Sequence, residues 1–411
     1  MADGQERERA EPVAVGPPRH RKSRADRIRQ QRIRRRRNNT RMVILAVLVI
    51  VVVAAVFLGS RLWHSWFNDY SGEGKSDVVI QVHAGDSTTA IGQTLADNKV
   101  VASVRAFVDA AHGNSAMSSI QPGYYQMRTE ISAADAVRRL TDPHNRVGKL
   151  VIPEGRQLDD VRDVKTNAVT EGILTLISQA SCVQLDGARR CVSVNELRQV
   201  AGGDAPSALN VPSWAVTPVQ AMGGDPRRME GLIAPGAWDI NPSWTPQQIL
   251  ATLIGDSATR YAQLGLGESP DGTTMSAYQT LIVASLVQRE SKPADFAKVA
   301  RVIYNRLQAH QKLEFDSTVN YPLDRQEVAT TEADRGRNTP WNTYFNEGLP
   351  TTPICSPGDQ ALAAAQRPEP GDWLYFVTVD MQGTTLFTRD YQQHLANIEL
   401  AKRNGVLDSA R

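Results

Sequence analysis

The stretch TLIVASLVQRESKP, from Thr280 to Pro293, has the pattern of a helix with one apolar face that ends in an acid. Ile282, Leu286 and Glu290 are spaced four apart and therefore share a helix face. Aliphatic neighbours and a place in the last helical turn both favour the neutral carboxyl, so we expect the pKa of Glu290 to be raised. Such an acid can protonate a glycosidic oxygen near neutral pH. The alternative is an ordinary salt-bridged residue at a helix end.

Ordinary glycosidases use two carboxylates, so a partner for Glu290 is expected elsewhere in the chain. Three acids are candidates: Glu314 and Asp316 in the stretch LEFDSTV, and Glu230 in the stretch EGLIAPGAWDI. Each of them can equally be interpreted as a loop or turn acid, and the sequence does not rank them.

The elements that must position these acids mix helical and strand patterns, which indicates an α+β fold. Between about 77 and 142 the order is strand, helix, helix, strand and helix, the pattern of a small module. A strand at 150–155 follows, and we predict a helix from about Leu158. The elements expected after it are a strand and turn at 230–240, a helix opened by Thr245 and Pro246, the Glu290 helix, a helix at 294–310, a loop-rich region, a helix at 359–366 and a terminal strand pair.

The amino-terminal sixty residues have a different character. Residues 19–41 carry twelve Lys or Arg and one acid, and residues 42–60 carry no charge. Roughly 20 apolar residues span a membrane, so we predict a transmembrane helix at 42–60 with the basic flank in the cytoplasm. The alternative is a buried helix that follows a nucleic-acid-binding arm. Anionic lipid headgroups are sufficient partners for the arm.

Three cysteines lie after this apolar stretch. Cys182 and Cys191 are close enough in sequence to form a disulfide in an oxidising compartment, and two free thiols are the alternative. Cys355 has no obvious partner. The seven His residues are scattered and no C-x-x-C pair occurs, so we expect neither a metal nor a cofactor.

An ordered series of motifs resembles a known family, the membrane-anchored endolytic murein transglycosylases (MltG or YceG-like). IVASLVQRES is similar to the family's catalytic helix, and VARVIYNRL, LEFDSTVNY, NTYFNEGLP, TPICSPG and LYFV follow in family order. Upstream, VIPEG and EGLIAPGAWDI resemble two further family segments. Gln288 stands where the family usually has a Glu. The resemblance covers nearly everything after the apolar stretch.

The resemblance implies a lytic transglycosylase in which Glu290 is the general acid and base. It implies cleavage of the MurNAc–GlcNAc bond in nascent glycan strands, which leaves a 1,6-anhydro end and terminates elongation. One carboxylate then suffices, because the substrate's C6 hydroxyl is the nucleophile. Residues within matching motifs are expected to line the glycan groove, with a turn or packing role as the alternative for each: Glu230, Asn305, Asp316, Thr318, Asn342, Tyr344 and Glu347.

The expected organisation has five parts. They are a basic disordered cytoplasmic arm at 1–41, a single transmembrane helix at 42–60, a linker at 61–76, a LysM-like subdomain at 77–146 and an α+β catalytic domain at 147–411. The LysM-like assignment comes from the resemblance. The protein is then single-pass in the cell membrane with its catalytic domain outside. The implied partners are peptidoglycan glycan strands and, as a family-level expectation, penicillin-binding proteins and other cell-wall synthesis proteins.

Two other functions compete with the enzyme. A non-catalytic scaffold of the cell-wall machinery could hold glycan through the LysM-like module without cutting it. A nucleic-acid-binding membrane protein rests only on the basic arm, and any polycation binds DNA in a salt-sensitive way. We therefore expect no nucleic acid among the partners.

Overall fold

A computed structural model describes residues 47–56, 69–267, 275–323 and 330–406 of the 411-residue chain, together with the backbone of 325–326. The chain divides into two compact units, Met1–Asn68 and Asp69–Arg411. The predicted arm at 1–41, both ends of the predicted membrane helix (42–46 and 57–60) and the first part of the linker lie outside the described residues.

Residues 47–56 of the first unit are helical, and their side chains are exposed. They lie within the apolar stretch at 42–60. No helix among the described residues is both long enough and apolar enough to cross a membrane.

The second unit opens with an amino-terminal module in the predicted order. Its elements are β1 (Asp77–Val82), α1 (Thr88–Asp97), α2 (Val104–Ala111), β2 (Gly123–Arg128), α3 (Ala133–Thr141) and β3 (Arg146–Val147), with 3-10 turns at Ser115–Ser119 and Pro143–Asn145. Strand β2 lies between β1 and β3, antiparallel to both. Leu95, Phe107 and Met127 are fully buried in a core that belongs to the module alone.

A larger α+β region follows and has its own core. Its helices are α4 (Ile173–Ala180), α5 (Val194–Gly203), α6 (Ser213–Ala221), α7 (Pro246–Gln263), α8 (Ala277–Glu290), α9 (Phe296–Gln308), α10 (Asp316–Asn320), α11 (Glu332–Arg335), α12 (Asp359–Gln366) and α13 (Tyr391–Arg403). Its strands are β4 (Lys149–Ile152), β5 (Val161–Asp163), β6 (Val169–Thr170), β7 (Val183–Leu185), β8 (Ala188–Arg190), β9 (Gly236–Asp239), β10 (Arg325–Gln326), β11 (Tyr375–Thr378) and β12 (Thr385–Thr388). Among the described residues of this region, 3-10 turns lie at Pro206–Leu209, Pro226–Met229 and Pro293–Asp295.

The strands of this region form small sheets. Strand β4 pairs antiparallel with β9, β7 with β8, and β11 with β12, while β5 lies between β6 and β10. The predicted terminal strand pair is therefore present, and so is the predicted helix at 359–366. Helix α13 after the strand pair was not foreseen from the sequence.

The helix predicted from about Leu158 is wrong. Residues 153–160 form turns and bends that lead into β5, and the next helix is α4. The amide of Leu158 donates to both carboxyl oxygens of Glu230, at 3.1 and 3.0 Å, and not to a helical carbonyl. A buried carboxylate 72 residues away in sequence therefore sets the backbone here.

A disulfide-closed hairpin connects the larger region to the module. Cys182 and Cys191 form a disulfide, and β7 and β8 lie between them. At the hairpin turn, Asp186 and Asp77 each accept a hydrogen bond from the other's backbone amide, both at 2.8 Å. The side chain of Gln126 in β2 also donates to the carbonyl of Gln184. The disulfide thus closes the loop that contacts the module's sheet.

Candidate active site

Helix α8 places Glu290 at its carboxyl end. Ser276 begins the helix with a capping box shared with Gln279, and Ser291 ends it in an extended conformation at φ −150°. From Tyr278 to Val287 most of the helix is fully buried, because the aliphatic stripe packs into the core. Glu290 therefore stands at the end of a buried helix, as its spacing predicted.

The Glu290 carboxyl has a raised pKa of about 7. Desolvation is the largest cause, because protein atoms enclose the carboxyl although part of the residue's surface stays exposed. The negative charge of Asp316 raises the pKa further, while Ser317 and Arg289 lower it. Near neutral pH a large fraction of this group therefore carries a proton that it can donate.

Ser317 faces the Glu290 carboxyl with its hydroxyl and its backbone amide, and both favour the ionised form. Within the described ranges, the buried Oγ of Ser317 makes no hydrogen bond of ordinary geometry. Sequence analysis named Asp316 and Thr318 on either side and missed Ser317, although it lies in the same motif.

Asp316 opens helix α10 and is held by three side chains. Its Oδ1 accepts hydrogen bonds from Thr330 Oγ1 at 2.6 Å, Tyr344 Oη at 2.8 Å and Arg335 Nη2 at 3.1 Å. The guanidinium of Arg335 also lies 4.8 Å from the centre of the Tyr344 ring. The site is therefore a network in which Arg335 and Tyr344 position the acid beside Glu290. Arg335 falls in a loop-rich stretch without periodicity, so no sequence signal marked it.

Thr318 and Asn342 lie beneath this network, and their polar groups bond within the chain. The Thr318 hydroxyl donates to the Phe315 carbonyl and meets the Thr343 hydroxyl at 2.9 Å. The Asn342 amide donates to carbonyls of the 334–337 segment, and its oxygen accepts from the amide of Tyr344. Both side chains are at most 1% exposed, so they hold the loop that presents Tyr344.

Asn305 and Glu347 have other surroundings. The Asn305 amide donates to the carbonyls of Gly371 and Trp373, which fastens helix α9 to the segment before β11. Glu347 is exposed and pairs with His310 at 2.9 Å. The contacts of these two residues do not include Glu290 or Asp316, and a glycan-binding role for either stays a prediction.

Of the three candidate second carboxylates, only Asp316 is brought to Glu290. Glu314 is exposed and lies 3.8 Å from Arg306. Glu230 is 1% exposed, accepts from the Leu158 amide and from Tyr321 Oη at 2.8 Å, and has a pKa raised to about 7, chiefly by desolvation. Glu230 thus joins three segments of the fold from inside.

No group of three or more His, Cys, Asp or Glu side chains in the described part of the chain could hold a metal ion.

Comparison with known proteins identifies the family. A family model described as the YceG-like family matches residues 80–400, well over half of the chain. The chain belongs to the YceG-like family. The YceG-like match begins in β1 and ends in α13, so it takes in both the amino-terminal module and the Glu290 site.

Several relatives carry the same curated name. The endolytic murein transglycosylase of Bacillus subtilis (strain 168) is 25% identical over 325 residues, which cover 78% of this chain and 84% of that protein. The endolytic murein transglycosylase of Streptococcus pneumoniae R6 is 24% identical over 345 residues and is covered over 58% of its length. This chain therefore spans a little over half of the streptococcal relative. A crystal structure of a YceG-like protein from Listeria monocytogenes, 22% identical, aligns over 79% of this chain and 99% of that chain with a TM-score of 0.46.

Proposed function

We propose that this protein is an endolytic murein transglycosylase, a lyase that cuts peptidoglycan glycan strands. The observation that carries the proposal is Glu290, a carboxylic acid with a pKa of about 7 at the end of a buried helix. Membership of the YceG-like family and three curated relatives named endolytic murein transglycosylase support it.

In the proposed reaction Glu290 acts twice. It first gives its proton to the oxygen that leaves MurNAc C1, which breaks the bond to GlcNAc. As a carboxylate it then takes the proton of the MurNAc C6 hydroxyl while that oxygen attacks C1. The products are a GlcNAc end and a 1,6-anhydro-MurNAc end. No water is consumed, and Glu290 regains its proton.

Asp316 supports both steps in this proposal. Its charge adds to the desolvation that raises the pKa of Glu290, which favours the protonated acid in the resting enzyme. The same carboxylate faces the positive charge that develops at C1 in an oxocarbenium-like transition state. Tyr344 and Arg335 hold it in place. Because Phe345 follows Tyr344 and is 45% exposed, we also propose it as a surface on which a sugar ring can rest.

The experiment that tests the function is product analysis. Purified uncrosslinked glycan strands are incubated with the full chain, and the new ends are identified by mass spectrometry. Anhydro ends are the expected result. Reducing ends would instead assign a hydrolase. Binding of strands with no new ends would support the alternative, a glycan-binding scaffold.

For the location we propose a single-pass membrane protein with a cytoplasmic amino terminus and the YceG-like region outside. The support is the Lys/Arg excess before Met42 and the uncharged stretch after it. The LysM-like assignment of the module and an association with penicillin-binding proteins belong to the same proposal. A carboxyl-terminal reporter that is active only in the cytoplasm would overturn the orientation.

A further inference from the structure

Helix α10 is a single turn of five residues that carries Asp316 and Ser317, the two residues of this helix that shift the pKa of Glu290. A helix this short is not stable by itself, so contacts at its two ends must set its position. The three donors to Asp316 hold its first end. The contacts at its second end therefore decide whether Ser317 stays beside Glu290.

The second end of α10 is held by Tyr321. Tyr321 caps the helix, and its backbone amide donates to the Ser317 carbonyl at 3.0 Å. Its hydroxyl donates to Oε2 of Glu230 at 2.8 Å, and its ring meets the Trp341 ring edge-on with the two centroids 5.3 Å apart. The tyrosine is 7% exposed, so these contacts lie inside the protein. One side-chain and one backbone hydrogen bond thus connect Glu230 to Ser317.

Glu230 is a fixed anchor for this connection. Both of its carboxyl oxygens accept from the Leu158 amide, at 3.1 and 3.0 Å, and the residue is 1% exposed. The backbone beside it is fixed as well, because Gly231 has a φ of +76° and a Cβ there would lie 2.6 Å from the Cβ of Pro353. The carboxylate therefore has a defined place from which it accepts the hydroxyl of Tyr321.

An acid is a costly choice of side chain at this place. Desolvation is the largest cause of the raised pKa of Glu230, which means that burial disfavours its carboxylate. Packing alone would be served by a neutral side chain of similar size. What the carboxylate adds is a strong acceptor, because a hydrogen bond to an ionised group is roughly twice as strong as a bond between neutral groups. The contact that uses this acceptor on the side of α10 is the one with Tyr321.

We infer that Glu230 is a positioning residue for the reaction, and that it acts through Tyr321 by holding Ser317 beside Glu290. The inference rests on the proposed function. Between the two proton transfers Glu290 is a carboxylate, and the hydroxyl and amide of Ser317 favour that ionised form. Glu230 thus stabilises a charge on Glu290 that forms during the reaction, without taking part in either proton transfer itself.

The test uses the full chain with Tyr321→Phe, which removes the hydroxyl and keeps the ring. Ser317 is then no longer held beside Glu290, whereas Asp316 keeps its own three donors. The pKa of Glu290 should rise, so the basic limb of the profile of kcat/KM against pH should move to higher pH. We expect kcat to fall about tenfold with KM unchanged, because the acid is misplaced relative to its donor and not relative to the bound strand.

Tyr304→Phe is the matched control. The Tyr304 hydroxyl donates to the Ala365 carbonyl at 2.7 Å, between α9 and α12, so this variant also loses one tyrosine hydrogen bond inside the larger region. In urea unfolding the control and Tyr321→Phe should lose comparable stability. The control should nevertheless keep the wild-type kcat and the wild-type pH profile, which separates a positioning role from a general loss of stability.

Two further variants test the route of the effect. Glu230→Gln keeps the shape of the side chain but offers one acceptor oxygen to two donors, so the basic limb should move in the same direction as in Tyr321→Phe. If Tyr321 acts through Ser317, the double variant Tyr321→Phe with Ser317→Ala should shift the limb by less than the sum of the two single shifts.

An unchanged basic limb in Tyr321→Phe, or shifts that add fully in the double variant, would overturn the inference while the proposed function stands. If the wild type makes no anhydro ends, the proposed function fails and the inference falls with it.

Discussion

Replacing Glu290 by Gln should remove activity and also change how stability depends on pH. Glu and Gln have nearly the same shape, but an amide cannot donate a proton to the leaving oxygen or take one from the sugar hydroxyl. General acid–base groups contribute roughly 10²–10⁴-fold, so we expect activity to fall at least a hundredfold, while the fold and glycan binding persist. Glu290→Asp should fail as well, because shortening the side chain withdraws the carboxyl from the reacting atoms.

The effect on stability follows from the raised pKa. The unfolded chain releases this proton near 4.5 and the folded chain holds it to about 7. The folded state binds more protons between these values, so the free energy of unfolding contributed by Glu290 falls as pH rises through them. The shift in the pKa of Glu290 corresponds to at most about 3 kcal/mol in the free energy of unfolding. Partial exposure of the residue reduces this to about 1–2 kcal/mol. Glu290→Gln has no carboxyl to ionise, so its free energy of unfolding does not fall in this way. From pH 5 to pH 8 the variant should therefore become more stable relative to the wild type by about that amount.

Urea unfolding of both proteins at pH 5 and pH 8 measures the difference, and anhydro-product formation measures the activity. Glu399→Gln serves as the control, because Glu399 is an exposed carboxylate on α13 whose side chain is 64% accessible. Glu230 contributes the same pH dependence to the stability of all three proteins, so its contribution cancels when their profiles are compared. Parallel stability profiles for the wild type and Glu290→Gln would refute the raised pKa. Full activity in Glu290→Gln would move the search for the acid to Asp316 and then Glu230.

Three further changes test the surroundings of the acid. Asp316→Asn removes the charge that raises the pKa of Glu290, so the basic limb of the kcat/KM profile should move to lower pH. Ser317→Ala removes a donor to the ionised carboxyl, so the basic limb of the kcat/KM profile should move to higher pH. If both variants shifted this limb in the same direction, the assignment of the limb to Glu290 would be contradicted. Gln288 accepts from the Gly358 amide at 2.9 Å, so Gln288→Ala should cost about 1 kcal/mol in urea unfolding, whereas Gln288→Glu keeps an acceptor and should leave activity unchanged. A large loss of activity in Gln288→Glu would give this residue a part in catalysis.

What the sequence could predict was local. The four-residue spacing that ends at Glu290 is a property of one helix, and α8 places the acid where that spacing indicated. The partners of Asp316 come from residues 14 to 28 positions further along the chain, through loops without periodicity. Motif order indicated Tyr344 but not Arg335 or Ser317. The same limit explains the wrong helix at Leu158, where a long-range hydrogen bond to Glu230 overrides the local pattern.

The disulfide-closed hairpin links protein maturation to the arrangement of the module. The bond closes a loop with a sequence separation of only 9, so chain-entropy arguments give it about 3 kcal/mol at most. Its main effect is local, because it keeps Asp186 opposite Asp77. Disulfides form and persist mainly where the surroundings are oxidising. A newly made chain in a reducing compartment would therefore have the cores of the module and of the larger region. It would lack the disulfide that fixes the hairpin against the module. Transfer to an oxidising compartment would add that closure, so the contact between the hairpin and the module would become covalently fixed only there.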